Sequence, residues 1–238
     1  MVTATAAPAR SVRALKAAFP LTLPVMAGFV FLGTAYGVLM QSLGLGAGWT
    51  FLMSAVVFAG AMQYVAITLF TAAFNPLYAL AITLMVNARH IFYGLSLLKK
   101  MRAAGPFKPL IVFALCDETF SIICTAEAPE GVDRGMFMFF VALLNWCYWV
   151  LGSLLGVLVG GLLTLSTQGL DFTLTALFVV IFLNQWAKPG SRPSSLIGVV
   201  CSLLCLFLFG PELFIIPAMA LMLVVFAISG KKLAGGDV

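Results

Sequence analysis

Apolar residues run almost end to end along this chain, divided by short polar or turn-forming breaks. A hydrocarbon core of about 30 Å needs about 20 apolar residues of helix. Eight stretches qualify as candidate spans: 20–41, 49–73, 76–98, 108–126, 136–163, 170–187, 195–209 and 211–229. The breaks between them are Gly44 to Gly48, Asn75-Pro76, Gly105-Pro106, the acidic stretch Glu127 to Asp133, Ser166 to Gly169, Pro189-Gly190 and Gly210-Pro211. Glycine, proline and charge clusters are where helices end. The pattern predicts an all-α, polytopic transmembrane helix bundle of eight spans, or seven if one of the short final segments is re-entrant. A basic segment, 1–19, disordered to interfacial, precedes the transmembrane domain at 20–230, and 231–238 form a short cytoplasmic tail. The stretches ending at Asn87 and Asn184 echo one another. An odd number of helices separates them, so such a repeat would be inverted in the membrane.

Composition turns this pattern into a membrane protein. Hydrophobic residues make up 63% of the 238 positions and charged residues 9%, with a mean hydropathy of +1.13. Soluble domains carry roughly 25% charged residues, so this chain cannot cover a surface facing water. The net charge of +5 comes from basic residues flanking the spans, which is no nucleic-acid signature. Basic residues collect on the cytoplasmic side. With eight spans and an inside N-terminus, Arg10, Arg13, Lys16, Arg134, Lys188, Arg192, Lys231 and Lys232 fall inside, leaving Lys99, Lys100, Arg102 and Lys108 outside. The first apolar run is too long for a secretory signal core and reads as an uncleaved span.

Cys116, Cys124, Cys147, Cys201 and Cys205 all lie in apolar runs, and His90 is the one histidine. No metal-ligand set follows, and the sequence implies no cofactor. Gly33 and Gly37, and Gly152, Gly156 and Gly160, repeat at four-residue spacing. That spacing lets helices approach closely, either within the bundle or against a partner. Glu212, after Pro211, reads as a helix cap. Trp146, Tyr148, Trp149 and Trp186 include interface anchors, and Asn145 is placed to line a cavity.

Polar groups inside spans are costly and mark pathways or partners. Three successive candidate spans carry them at one depth: Gln63; Asn87, Arg89 and His90; Asp117 and Glu118. Arg89 sits too deep to snorkel, and Asp117 and Glu118 are the acids at its depth. One reading makes Arg89 structural glue for either acid, with Gln63 and Asn87 hydrogen-bonding between helices. The other notes that two neighbouring carboxylates against one guanidinium leave a negative charge uncompensated. Such a group is suited to exchanging protons, as is a histidine.

At these residues the sequence resembles a known family. Phe58-Ala59-Gly60-Ala61-Met62-Gln63-Tyr64, Asn87-Ala88-Arg89-His90-Ile91-Phe92-Tyr93-Gly94 and Asp117-Glu118-Thr119-Phe120 occur in the order and at the separation seen in AzlC-type branched-chain amino acid permeases. Leu170-Asp171-Phe172 is also similar, and the likeness covers 16–230. Met62 and Tyr64 are variants within the glutamine segment. The resemblance implies export of valine, leucine or isoleucine across a bacterial inner membrane, with a small, separately encoded AzlD-type membrane subunit. A zwitterionic substrate would then meet Arg89 through its carboxylate and Asp117 or Glu118 through its ammonium, with Gln63 and Asn87 fixing orientation. Composition alone also allows a channel or transporter for another small solute, or a non-transporting scaffold. An intramembrane hydrolase needs a nucleophile with a matched base, and no G-x-S-x-G segment occurs. A Gly-rich nucleotide loop with Lys is likewise absent, so any uphill transport draws on an ion gradient.

Overall fold

The computed structural model describes residues 7–71, 75–162 and 192–233, with isolated positions between 172 and 186. The candidate span 170–187 and its Asn184 echo therefore lie outside the described residues. Regular structure among the described residues is helical throughout. The chain forms two units, one holding the described residues of 1–74 and 90–173 and the other those of 75–89 and 174–238.

The first unit is built on two long helices, α1 (Ala7–Ser42) and α8 (Arg134–Leu162), with shorter pieces between them along the chain. α1 is helical from Ala7, so the basic segment at Arg10 to Lys16 is continuous with the apolar run. α1 and α8 run parallel. Thr22 meets Tyr148 at 3.2 Å, and a side chain built at Gly160 would touch Val38 and Gln41. Glycine makes this approach possible. A Cβ at Gly33 would sit 2.9 Å from the Ser153 amide, and one at Gly152 would sit 2.9 Å from the Phe29 carbonyl oxygen. At Gly37 and Gly156 it would collide with the Ser153 and Thr34 carbonyls. The glycine stripe of α8 is thus filled by α1 of the same chain.

Two candidate spans are broken in the middle. The first comprises α2 (Ala47–Leu52), a π-helical turn over Met53–Val57, and α3 (Gly60–Thr71). Phe58 between them is left-handed, at φ 41° and ψ 46°. Residues nine apart point to opposite faces of a straight helix and lie about 13 Å apart along it. Yet Gln63 Nε2 donates to Ser54 Oγ at 3.2 Å, so the chain bends sharply at Phe58. The second comprises α6 (Lys108–Phe113) and α7 (Asp117–Thr125), with Cys116 extended between them. Its two ends lie together. Lys100 Nζ, ahead of α6, donates to the Ile123 and Cys124 carbonyls at 3.0 and 2.9 Å and pairs with Glu127 at 3.0 Å. Segment 108–126 therefore returns to the end it left, and its helices of 6 and 9 residues are about 9 and 14 Å long.

These broken segments change the expected charge layout, and not all of the eight expected spans are matched by helices of crossing length among the described residues. Helices long and apolar enough to cross a membrane number four among the described residues: Arg10–Ser42, Pro76–Leu97, Arg134–Leu162 and Arg192–Pro211. Lys99 and Lys100 line one cavity of about 200 Å³ with Glu127 and Arg134. A Cβ at Gly135 would lie 2.7 Å from the Ala103 carbonyl oxygen. The basic cluster at 99–108, expected opposite Arg134, shares its end of the first unit, as do Arg10, Arg13 and Lys16 through the parallel α1.

The second unit contains α4 (Pro76–Asn87), α9 (Arg192–Leu213) and α10 (Ile215–Leu233). Asn75 starts α4 by accepting from the Leu77 and Tyr78 amides at 3.1 and 3.2 Å, with Pro76 in the first turn. A side-chain carbonyl here replaces acceptors that the first turn lacks. Gly210, at φ 73°, kinks α9 before Pro211. α9 packs on α10, and α4 touches α10. Leu84, Leu203 and Phe207 are exposed, Phe207 at 91%, as on helices solvated by lipid. Following α4, α5 (Arg89–Leu97) leads back into the first unit.

Candidate functional site

α8 carries two buried polar side chains one turn apart, and each holds one hairpin. Trp149 donates its indole N–H to Gln63 Oε1 at 2.8 Å, and Gln63 passes its own amide hydrogen to Ser54. Gln63 and Ser54 are wholly buried. The Trp149 ring also closes over Gly60, where a Cβ would lie 3.1 Å from it. Phe29 and Tyr36 of α1 pack on that ring at 5.5 and 6.3 Å. Tyr64 donates to the Leu32 carbonyl at 2.7 Å, fixing α3 to α1. Trp146 Nε1 donates to the Ala55 carbonyl at 3.0 Å, an acceptor in the π-helical turn. The anchor expected at an interface instead holds the first hairpin.

One turn earlier on α8, Asn145 holds the second hairpin. Its Nδ2 donates to Thr119 Oγ1 at 3.0 Å, and Thr119 lies 3.1 Å from Cys116 Sγ in the helix break. Asn145 and Thr119 are wholly buried. Asp117 and Glu118 occupy the first turn of α7, where carboxylates offset the positive end of the helix dipole. Asp117 accepts from the Tyr93 hydroxyl at 2.8 Å. Tyr93 stacks on Phe120 at 4.6 Å and meets the His90 ring edge-on at 5.5 Å. The two hairpins touch at their breaks, with the Phe58 and Phe113 rings 6.4 Å apart.

The structure therefore places Gln63, His90, Asp117 and Glu118 in the first unit, with Tyr93 joining His90 to Asp117. Gln63 belongs to a separate set of hydrogen bonds, centred on Trp149. Asn87 and Arg89 belong to the second unit, because the boundary falls between Arg89 and His90, beside the helix break at Ala88. Sequence reasoning missed Ser54, and it named Tyr93, Thr119 and Trp149 without giving them a place in the site. The available signal was the polar Asn145 inside an otherwise apolar 29-residue helix.

Two carbonyl-lined helix breaks with buried polar groups are tolerated in a membrane protein where they line a pathway sealed from lipid. Half-helix ends there offer partial charges to a polar solute. Residues 24–163 match the family described as AzlC protein. The branched-chain amino acid transport protein AzlC of Bacillus subtilis is 50% identical over 225 residues, 94% of this chain and 89% of that protein. An uncharacterized membrane protein of Haemophilus influenzae is 42% identical over 207 residues, 87% and 85% of the two chains. The inner membrane protein YgaZ of Escherichia coli is 31% identical over 179 residues, 71% and 72%. No solved structure matches this chain.

Proposed function

The chain belongs to the AzlC family, and from that premise we propose that it exports valine, leucine and isoleucine across the bacterial inner membrane. It works with a small AzlD-type subunit and draws on the proton gradient. The observation that carries this reading is the meeting of two broken helices at Phe58 and Phe113 beside buried amides and a half-buried acid pair. A zwitterion with an aliphatic side chain suits such surroundings, because helix ends match its charges and the neighbouring walls are apolar.

His90, Tyr93 and Asp117 form the candidate proton path. Of Asp117 and Glu118, one carries the proton and the other stays ionised. Arg89 keeps its proposed role of recognising a carboxylate, and Asn87 that of orienting the substrate. Gln63 has both ends of its amide occupied and acts by holding the first hairpin. The glycine stripe is filled by α1, so the small subunit binds elsewhere. The basic end of the first unit faces the cytoplasm, which puts the N-terminus inside.

Cells loaded with labelled valine, leucine, isoleucine and methionine test the reading. Efflux of the branched-chain substrates should require this chain and the small subunit together. Full export by the reconstituted chain alone would remove the subunit from the proposal. Absence of efflux with both present would leave a scaffold or a transporter for another solute.

A further inference from the structure

Every polar atom in the Trp149–Gln63–Ser54 set that faces its partner is used, but Asn145 is half used. Its Nδ2 meets Thr119, while its Oδ1 is buried without a hydrogen-bond partner. A carboxamide oxygen only accepts, so the missing partner is a donor. The buried oxygen is fixed in place: Thr119 holds the amide, and Thr119 is itself tied to Cys116 in the helix break.

The surroundings specify the donor's charge. α6 ends at Phe113 and the chain unwinds through Ala114 to Cys116, with the Leu110 and Val112 carbonyls accepting from the Ala114 and Leu115 amides. Asp117 and Glu118 come next, and the sequence holds no Lys or Arg between Lys108 and Arg134. Neutral donors gain little from such a field, whereas a cationic one forms a charge-assisted bond.

We propose that Asn145 Oδ1, buried without a donor, accepts from the ammonium group of the substrate. This rests on the reading of the substrate as an amino acid. Asn145 is sealed in this conformation, so the subsite opens and closes with the second hairpin.

The test uses the purified full chain with its small subunit, in lipid nanodiscs, and measures binding of L-leucine, isocaproate and isoamylamine. Isocaproate lacks the ammonium and isoamylamine lacks the carboxylate. Asn145→Leu is expected to weaken leucine and isoamylamine about tenfold or more while leaving isocaproate unchanged. Asn145→Asp keeps the shape and the acceptor, so it should raise the preference for leucine over isocaproate. Equal weakening of all three ligands by Asn145→Leu, or selective loss of isocaproate, overturns the proposal. If Asn145→Leu does not fold, as judged by thermal unfolding, Asn145→Asp decides: an unchanged or lower preference overturns it. A wild-type complex that binds none of the three ligands overturns the transport reading itself, whatever Asn145 does.

Discussion

The two hairpins of the first unit share a plan and differ in chemistry. Each is a broken helix held by a buried side chain of α8, and their breaks touch through Phe58 and Phe113. The first contains no ionisable Asp, Glu, Lys, Arg or His from Ala47 to Thr71. Its amide is bonded at both ends, and its tip holds a buried phenylalanine in the left-handed region. A non-glycine residue there costs roughly 1–2 kcal/mol, offset by the ring's burial. The second places two carboxylates in one helical turn, with an unmatched acceptor beside them. A satisfied, uncharged loop has one stable arrangement. A loop with titratable groups and an open acceptor responds to protons and ligands. On the proposed reading, the first hairpin holds position and the second carries the moving parts of transport.

The largest effect expected is one that removes the contrast altogether. Gly156→Leu would drive a side chain into the α1 backbone at Thr34 and Gly37. Both hairpins lean on the α1–α8 pair, so the variant should lose folded protein and all transport, read by size-exclusion and efflux together. Substitution within the second hairpin should spare folding and strike coupling. Asp117→Asn and Glu118→Gln should have unequal effects on pH-driven export in vesicles, the proton carrier losing tenfold or more while still exchanging substrate at equilibrium. His90→Gln should shift the pH dependence of export without abolishing binding. If all three leave pH-driven export unchanged, these residues are structural.

Gln63→Leu probes the first hairpin. It strands the Trp149 indole N–H and the Ser54 hydroxyl, at about 1–3 kcal/mol for each buried group left unsatisfied. Thermal stability should fall while the ranking of leucine, isocaproate and isoamylamine stays as in the wild type. A changed ranking would erase the distinction between the hairpins. The smallest effect belongs to the base of the second hairpin. The hydrogen bond and charge of Lys100 hold the Glu127 carboxyl below its usual range. Its contribution to stability is therefore present above the unfolded carboxylate value of about 4.3 and is lost as pH falls through the lower folded value. Glu127 is exposed, so Glu127→Gln should only slightly flatten the fall of melting temperature in acid.

Much of this was legible in the sequence, and the exceptions have physical causes. Hydropathy found the apolar segments seen among the described residues; Asn75-Pro76 starts a helix as expected, and Gly105-Pro106 kinks one. Hydropathy records burial rather than direction, so 49–73 and 108–126 read as spans. A helix that turns back inside a protein is as apolar as one that crosses, and neither tip contains proline. The glycine spacing announced close helix contact, but its partner, α1, became clear only from the fold. Gln63, His90 and the acid pair stood out because they are polar among apolar residues. Ser54, Thr119 and Trp149 did not, because such residues are ordinary in membrane helices.

The parallel pairing of α1 with α8 also sets a timetable for biosynthesis. The wall that supports both hairpins joins residues near 33 to residues near 153, and it does not exist until α8 has been made. At about 5–20 residues per second, the ribosome takes on the order of ten seconds to cover that interval. Throughout it the first hairpin waits without Trp149, its buried glutamine unsheltered in the lipid or the insertion channel. A nascent chain stalled before α8 should therefore be recognised by quality-control proteases, and one stalled just beyond it should survive.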